Sequence, residues 1–322
     1  MRTGRAIGVA LCCAVACVSG FARAADTIET GLIGAANSAE WPVYIGIQKG
    51  FFADQGITLD VIYVPTASGL VQQLAAHSLD IVDIGIVEPI HAVARGAPVA
   101  IVRFSAAVSS YEILAKPEIK TIQDLKGHTV VIGGLVDINR VYLERVLKAA
   151  GLTDKDIDIT VVGNTAGRFA ALKSGAADAT MLAPPVNFFA ESAGFRNLGM
   201  MIDYTKDLPF SATDVSLAFA QEHHDALMRF LKALDRSIAW FNDGANREAA
   251  IDVLAGEMKT TSRDDVGRSY DYLRKIGFFP NDNVISRKNL EALMDEMTAI
   301  GDTQGKVPID KLLLPGVVRV TD

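Results

Sequence analysis

Cysteine is nearly absent from this 322-residue chain, and its few occurrences are confined to one end. Cys12, Cys13 and Cys17 all fall within the first 24 residues. Beyond them, the lack of a thiol excludes a disulfide framework, a thiolate metal site and a cysteine nucleophile. Long apolar runs are missing too. Ala6 to Val18 carries no charge, but it is shorter than the ~20 residues a bilayer span requires, and no later stretch matches it. Metal-ligand spacing is also lacking. His77, His91 and His128 are scattered, and His223 and His224 are neighbours that cannot share one helix face. There is no H-E-x-x-H, so neither a metal nor a cofactor is expected. Thr66-Ala67-Ser68-Gly69 lacks the glycine two residues before the serine that a nucleophile elbow needs. Gly31-Leu32-Ile33-Gly34 is too short for a dinucleotide fingerprint, and no phosphate-binding P-loop occurs. An enzyme is therefore not the expected reading.

What is present begins with a leader. Arg2 and Arg5 precede the uncharged run, and Ala22-Arg23-Ala24 offers the small-x-small pattern of a signal-peptidase site. Residues 1–24 are thus expected to be a signal peptide, cleaved to leave a periplasmic chain that starts at Ala25. A lipid anchor at Cys17 is the competing reading, but Ala14-Val15-Ala16 before it lacks the usual leucine. The leader carries three arginines and no acid, so without it 28 basic residues face 38 acidic ones, a balance of −10. An acidic surface of this kind excludes nucleic acid and anionic membranes as favoured partners. The remaining ~298 residues exceed the usual size of one core, which predicts two domains.

From Thr27 strand-like and helix-like segments alternate. Thr27 to Ile33, Leu59 to Val64, Ile81 to Ile86 and Val99 to Phe104 read as strands, with helices over Trp41 to Phe52, Leu70 to His77 and Pro89 to Arg95 between them. This is the rhythm of parallel βαβ units. It restarts at Thr129 to Ile132, followed by a helix over Asn139 to Ala150. That helix has a stripe of Ile138, Val141, Tyr142, Val146 and Leu147, and an i,i+4 pair of Glu144 and Lys148. Ile157 to Val162, Ala166 to Ser174, Ala179 to Leu182, Pro184 to Ser192 and Leu198 to Ile202 continue it. From Glu222 only helices follow, near 224–241, 247–256, 263–275 and 287–300. Tyr111 to Ala115 and Val215 to Ala220 read as the two strands crossing between domains. The expected division is 26–108 with 218–322 as one lobe and 109–217 as the other, the helical tail packing on the first.

Several segments occur in a recognisable order. Trp41-Pro42-Val43-Tyr44-Ile45-Gly46 leads into Lys49-Gly50-Phe51-Phe52 and Gln55-Gly56-Ile57. Gln73-Leu74-Ala75, Leu79-Asp80-Ile81 and Ala94-Arg95-Gly96-Ala97-Pro98-Val99 follow, then Asp124-Leu125-Lys126-Gly127. Ala170-Ala171-Leu172 with Gly175-Ala176-Ala177-Asp178-Ala179 and Pro184-Pro185 complete the series. The series resembles the periplasmic solute-binding proteins of ABC importers, in the branch serving nitrate, taurine, alkanesulfonates and thiamin-precursor pyrimidines. The resemblance implies an α/β, two-lobed periplasmic-binding-protein fold of type II. Each lobe would be a mainly parallel sheet flanked by helices, with a C-terminal helical tail. It also implies a monomer that captures a small solute, closes by hinge bending and docks transiently on an inner-membrane permease. The same fold includes pyrimidine-forming and menaquinone-pathway enzymes. The chain departs from the branch at Gly133-Gly134-Leu135-Val136-Asp137, where members often carry a Gly-Ser loop.

In open α/β sheets ligands sit beyond the carboxyl ends of strands, where helix N-termini offer free N–H groups and partial positive charge. Four such points are expected: 37–41, with Asn37, Ser38, Glu40 and Trp41; 66–68, with Thr66 and Ser68; 133–140, with Asp137, Asn139 and Arg140; and 164–168, with Arg168. The resemblance adds Glu88 and implies contacts at the first two points. Trp41 could stack on a planar solute, and Arg140 or Arg168 could clamp a carboxylate or sulfonate. Glu40, Glu88 and Asp137 suit a ligand with N–H or O–H donors. A small organic anion is the first expectation, and a neutral heterocycle such as a thiamin-precursor pyrimidine the alternative. An exported sensory protein is a further reading.

Overall fold

The computed structural model describes residues 25–34, 37–259 and 262–322. The expected leader, with its cysteines and cleavage point, lies outside them. In chain order the strands are β1 (Asp26–Ile33), β2 (Ile57–Val64), β3 (Ile81–Gly85), β4 (Val99–Ala106), β5 (Glu112–Ala115), β6 (Thr129–Ile132), β7 (Asp158–Val161), β8 (Ala179–Leu182), β9 (Arg196–Met200) and β10 (Ser211–Ser216). The helices between them are α1 (Trp41–Gln48), α2 (Ala67–Ala75), α3 (Val87–Ala94), α4 (Ile138–Ala149), α5 (Thr165–Ser174), α6 (Val186–Ser192) and the short α7 (Ile202–Thr205).

Both sheets follow one plan. The first is ordered β2-β1-β3-β10-β4 and the second β7-β6-β8-β5-β9. In each, three strands joined by helices run parallel, and the fourth runs antiparallel to its neighbours. The antiparallel strands β5 and β10 are the ones reached by the two crossings. Both sheets are covered on their two faces: β8, and even the edge strand β4, are buried at every position.

The sequence reading departs from this at the return crossing. The segment expected as a strand over Val215 to Ala220 divides at Ser216. Ser211 to Ser216 pairs with β3 and β4 in the first sheet, and α8 (Leu217–Glu222) follows. Ser216 makes the switch by accepting a hydrogen bond from the Phe219 N–H at 3.1 Å, a helix cap. The polar run Ser211-Ala212-Thr213-Asp214 does not read as a buried strand, yet every one of its residues is buried. Sheet pairing therefore puts residues 211–216, expected within 109–217, in the first sheet.

The tail consists of α9 (His224–Asn242), α10 (Arg247–Glu257), α11 (Arg263–Lys275), α12 (Arg287–Ala299) and α13 (Ile309–Leu312), with a small parallel pair, β11 (Val284–Ser286) and β12 (Arg319–Thr321). Helix α9 turns nine apolar or small residues, among them Leu227, Phe230, Leu234 and Phe241, onto the first lobe. Each large side chain so buried contributes ~1.5–3 kcal/mol. Arg103 of β4 is fully buried and ties the tail to the sheet, donating to Asp235 at 2.8 Å and to the Pro280 carbonyl at 2.8 Å. The edge strand β4 is closed off by Leu314, whose N–H donates to the Ile101 carbonyl at 2.9 Å. The tail also touches the second lobe: Phe188 meets Tyr272 edge-on at 6.1 Å, Arg268 pairs with Glu191 at 2.8 Å, and Arg145 with Glu296 at 3.0 Å.

Candidate functional site

A cleft of about 290 Å³ lies between the two sheets, at the carboxyl ends of their parallel strands. From the first lobe it is lined by Asn37, Glu40, Asp83, Glu88 and Ser211, and from the second by Asp137, Asn139, Asn164 and Arg168. Tyr111 and Phe210, one from each crossing, form an apolar corner with ring centroids 5.3 Å apart. The lobes meet around the cleft. The Ser38 hydroxyl donates to the Pro184 carbonyl. A Cβ on Gly163 would stand 2.8 Å from the Pro65 carbonyl oxygen, so only glycine permits this approach.

Four buried polar atoms around the cleft have no hydrogen-bond partner: Glu40 Oε2, Glu88 Oε2, Asn139 Oδ1 and Ser211 Oγ. Native proteins leave few such atoms, and each calls for an explanation. Three of the four are acceptors. Glu40 takes one backbone N–H, from Ile33, and Glu88 its own, while the second oxygen of each is free. Burial dominates the electrostatics. It drives the Glu40 carboxyl well above the ordinary range, with the charge of Asp83 adding to it. It does the same to Glu88, helped by Asp137 and Asp302. Asp83 is pushed up to about 7 by burial, against hydrogen bonds from Ser105 and Thr213 and the charge of Arg103. Asp137 rises to about 6 by burial, opposed by Arg168 and by two backbone N–H groups. Behind them Asp214 has both oxygens unpartnered and is likewise raised, by burial and by Asp83 and Glu88.

Of the residues expected at the site, Asn37, Glu40, Glu88, Asp137, Asn139 and Arg168 line the cleft. Ser38 lies beneath it, fully buried. Trp41 does not reach it. Its indole is 0% exposed, donates to the Ala250 carbonyl at 2.8 Å and packs 5.3 Å from Phe241 and 6.1 Å from Tyr270. The tail covers that face of α1, so Trp41 is a core residue. Thr66 caps α2 by accepting from the Gly69 N–H at 3.1 Å, and Ser68 is exposed beside it. Neither lines the cleft. Arg140 turns away to Glu144 at 2.6 Å and Asp154 at 2.9 Å. Arg168 is fully buried, and its guanidinium donates to the carbonyls of Met181 and Gly163 and to the Thr165 hydroxyl. It braces the cleft wall.

The helix N-termini are already engaged. Asn37 accepts from Ala39 N–H, Asp137 from those of Asn139 and Arg140, and Asn164 from Gly167 N–H. These caps use part of the donor set that an anion would take. The reading of the residues missed Asp83, Asp214, Ser211, Tyr111 and Phe210. A lone acid inside an apolar strand, as in Ile81-Val82-Asp83-Ile84-Gly85, was the available signal for Asp83. Among the described residues no His, Cys, Asp or Glu cluster gathers closely enough to hold a metal ion, and no helix is long and apolar enough to cross a membrane.

Two sheets of this order, joined by two crossings and closing over one cleft, define the class of two-lobed solute-binding folds. Comparison with known proteins narrows the class. The model of the family described as "NMT1/THI5 like" matches residues 37–244, and the chain belongs to that family. The formylaminopyrimidine-binding protein of Halalkalibacterium halodurans is 22% identical over 294 residues, 85% of this chain and 79% of that one. Among solved structures, the periplasmic aliphatic sulphonate binding protein SsuA of Escherichia coli superposes with a TM-score of 0.71 at 19% identity, covering 92% of this chain and 94% of that one. The periplasmic nitrate-binding protein NrtA of Synechocystis PCC 6803 does so with 0.67 at 19%, covering 76% and 69%. These three relatives are named as binding proteins, and the feature they share with this chain is the fold.

Proposed function

We propose that this chain is the exported solute receptor of an ABC importer, and that its solute presents N–H or O–H donors. The observation that carries the reading is the set of unpartnered acceptors, Glu40 Oε2, Glu88 Oε2 and Asn139 Oδ1, buried around a cleft that both lobes line. Leaving them unsatisfied costs ~1–3 kcal/mol each, which a donor-bearing solute offsets by binding. The expected leader supports export to the periplasm, and the binding-protein names of the similar proteins support delivery to a permease. The lobes are taken as 26–108 with the tail, and 109 to just before Ser211, with the return crossing ahead of β10.

The aminopyrimidine class named for the Halalkalibacterium relative matches this chemistry, since a pyrimidine amino group is such a donor. Tyr111 and Phe210 supply the apolar surface for a flat ring. An organic anion is the second reading, favoured by the α5 N-terminus, where Asn164, Thr165 and Ala166 face the cleft. Titration calorimetry on the chain from Ala25 onward, with formylaminopyrimidine, an alkanesulfonate and nitrate, separates them. Binding of the pyrimidine alone supports the first reading. Binding of the anions alone supports the second, and no binding by any of the three removes both.

A further inference from the structure

The cleft gathers acids in a proportion its cations do not match. Glu40, Asp83, Glu88 and Asp137 line it, and Asp214 lies behind. The cations next to this group are Arg168, whose charge acts on Asp137, and Arg103, whose charge acts on Asp83. Arg103 is itself paired with Asp235 of α9 at 2.8 Å. From the tail, Asp302 approaches Glu88 and bonds His91, one turn along α3, at 2.7 Å. Glu40 is 2% exposed and Glu88 6%, so water cannot solvate them as ions. The second oxygen of each is buried without a partner, as is Asn139 Oδ1, and all three residues line the cavity. A Cβ on Gly85 would lie 3.0 Å from Glu88 Oε2, so this carboxyl packs tightly over the strand end.

We propose that the cleft takes its solute as an organic cation of the amidinium or aminoheterocycle type, in exchange for protons released from these carboxyls. This rests on the solute-receptor reading and goes beyond it in assigning the bound charge. In the empty cleft a proton on a carboxyl oxygen stands in for the missing positive charge, because several ionised acids cannot share a buried site. When the cation enters, the O–H bond breaks, the electron pair stays on the oxygen and the proton leaves to solvent. The charge in the cleft is then unchanged, and the carboxylate oxygens accept the solute's N–H groups. Glu88 and Glu40 supply the fork from the first lobe and Asn139 the third acceptor from the second. Both lobes hold the solute, so binding favours the closed state.

Three probes with one ring and three heads test this: benzamidinium (a cation with N–H donors), benzamide (its neutral counterpart) and benzenesulfonate. Calorimetry with the chain from Ala25 onward is run from about pH 5.5 to about pH 7, in buffers of different ionisation enthalpy. The expected result is that benzamidinium binds best, releases about one proton, and tightens about tenfold per pH unit for each proton released. Glu88→Gln and Glu40→Gln, checked for folding by thermal melting, should each weaken benzamidinium at least about tenfold and reduce the proton count. Benzamide or benzenesulfonate binding more tightly, or benzamidinium binding without a pH dependence, overturns the proposal but leaves the receptor reading standing. If all three probes and formylaminopyrimidine, alkanesulfonate and nitrate fail to bind, the receptor reading falls with it.

Discussion

The two sheets share one strand order but bring different chemistry to the cleft between them. The first lobe contributes carboxyls with a free oxygen, Glu40 and Glu88, and the buried Asp83. The second contributes one such atom, Asn139 Oδ1, beside groups already satisfied within their own lobe. Asp137 is engaged by two backbone N–H groups and by Asn139 Nδ2, Asn164 caps α5, and Arg168 is held by two carbonyls and a hydroxyl. Topology thus sets where a ligand goes, and side chains set which one. On the proposed reading the first lobe is the selective half and the second a braced wall.

The largest expected effect breaks the wall. Arg168→Leu strands the Gly163 and Met181 carbonyls and leaves Asp137 without its positive neighbour, so urea unfolding should show a loss of about 3–5 kcal/mol. An unchanged midpoint would mean that the wall does not depend on this brace. Next comes closure. Gly163→Ala sets a methyl against the Pro65 carbonyl, and solute affinity should fall about tenfold, ~1.4 kcal/mol, with little change in the melting temperature of the empty protein. Equal affinity would show that the lobes do not meet there in the bound state.

The third effect concerns pH. A carboxyl whose pKa is higher folded than unfolded holds its proton more tightly in the native state. Its contribution is fully present below the unfolded value of ~4 and is lost as pH rises through the folded value. Those folded values are about 6 for Asp137 and about 7 for Asp83. The empty protein should therefore melt at progressively lower temperature from about pH 5 to about pH 8, and Asp83→Asn should flatten the curve. A melting temperature that rises over that range would contradict the acid-rich reading of the first lobe. The smallest effect on binding sharpens the contrast from outside the cleft. Arg140→Ala removes part-buried pairs with Glu144 and Asp154 away from the cleft, so stability should fall by about 1–2 kcal/mol while calorimetry should record unchanged affinity.

Much of the architecture is legible in the chain. The alternation of apolar strands and amphipathic helices, its restart at Thr129 and the helical tail all reappear, because period and turn chemistry are local properties. Glu40, Asp137 and Asn139 could be picked out as cleft-lining residues because each follows a strand end, where this kind of sheet binds ligands, and Glu88 because of the resemblance. Trp41 was misread because what covers it, Phe241 and Tyr270, comes from about 200 residues later in the chain. Arg140 and Arg168 look alike in sequence, and only packing sends one to Glu144 and Asp154 and the other into the wall.

The sequence by itself determined the class of fold, the order of its parts and the strand ends at which a ligand would sit, since these follow from local patterning and connection rules. Only the tertiary structure decided the electrical character of the cleft. A carboxylate in water and a carboxyl buried beside Asp83 or Asp137 are the same letters in a sequence. What separates them is the solvent that the two lobes exclude and the like charges they bring together.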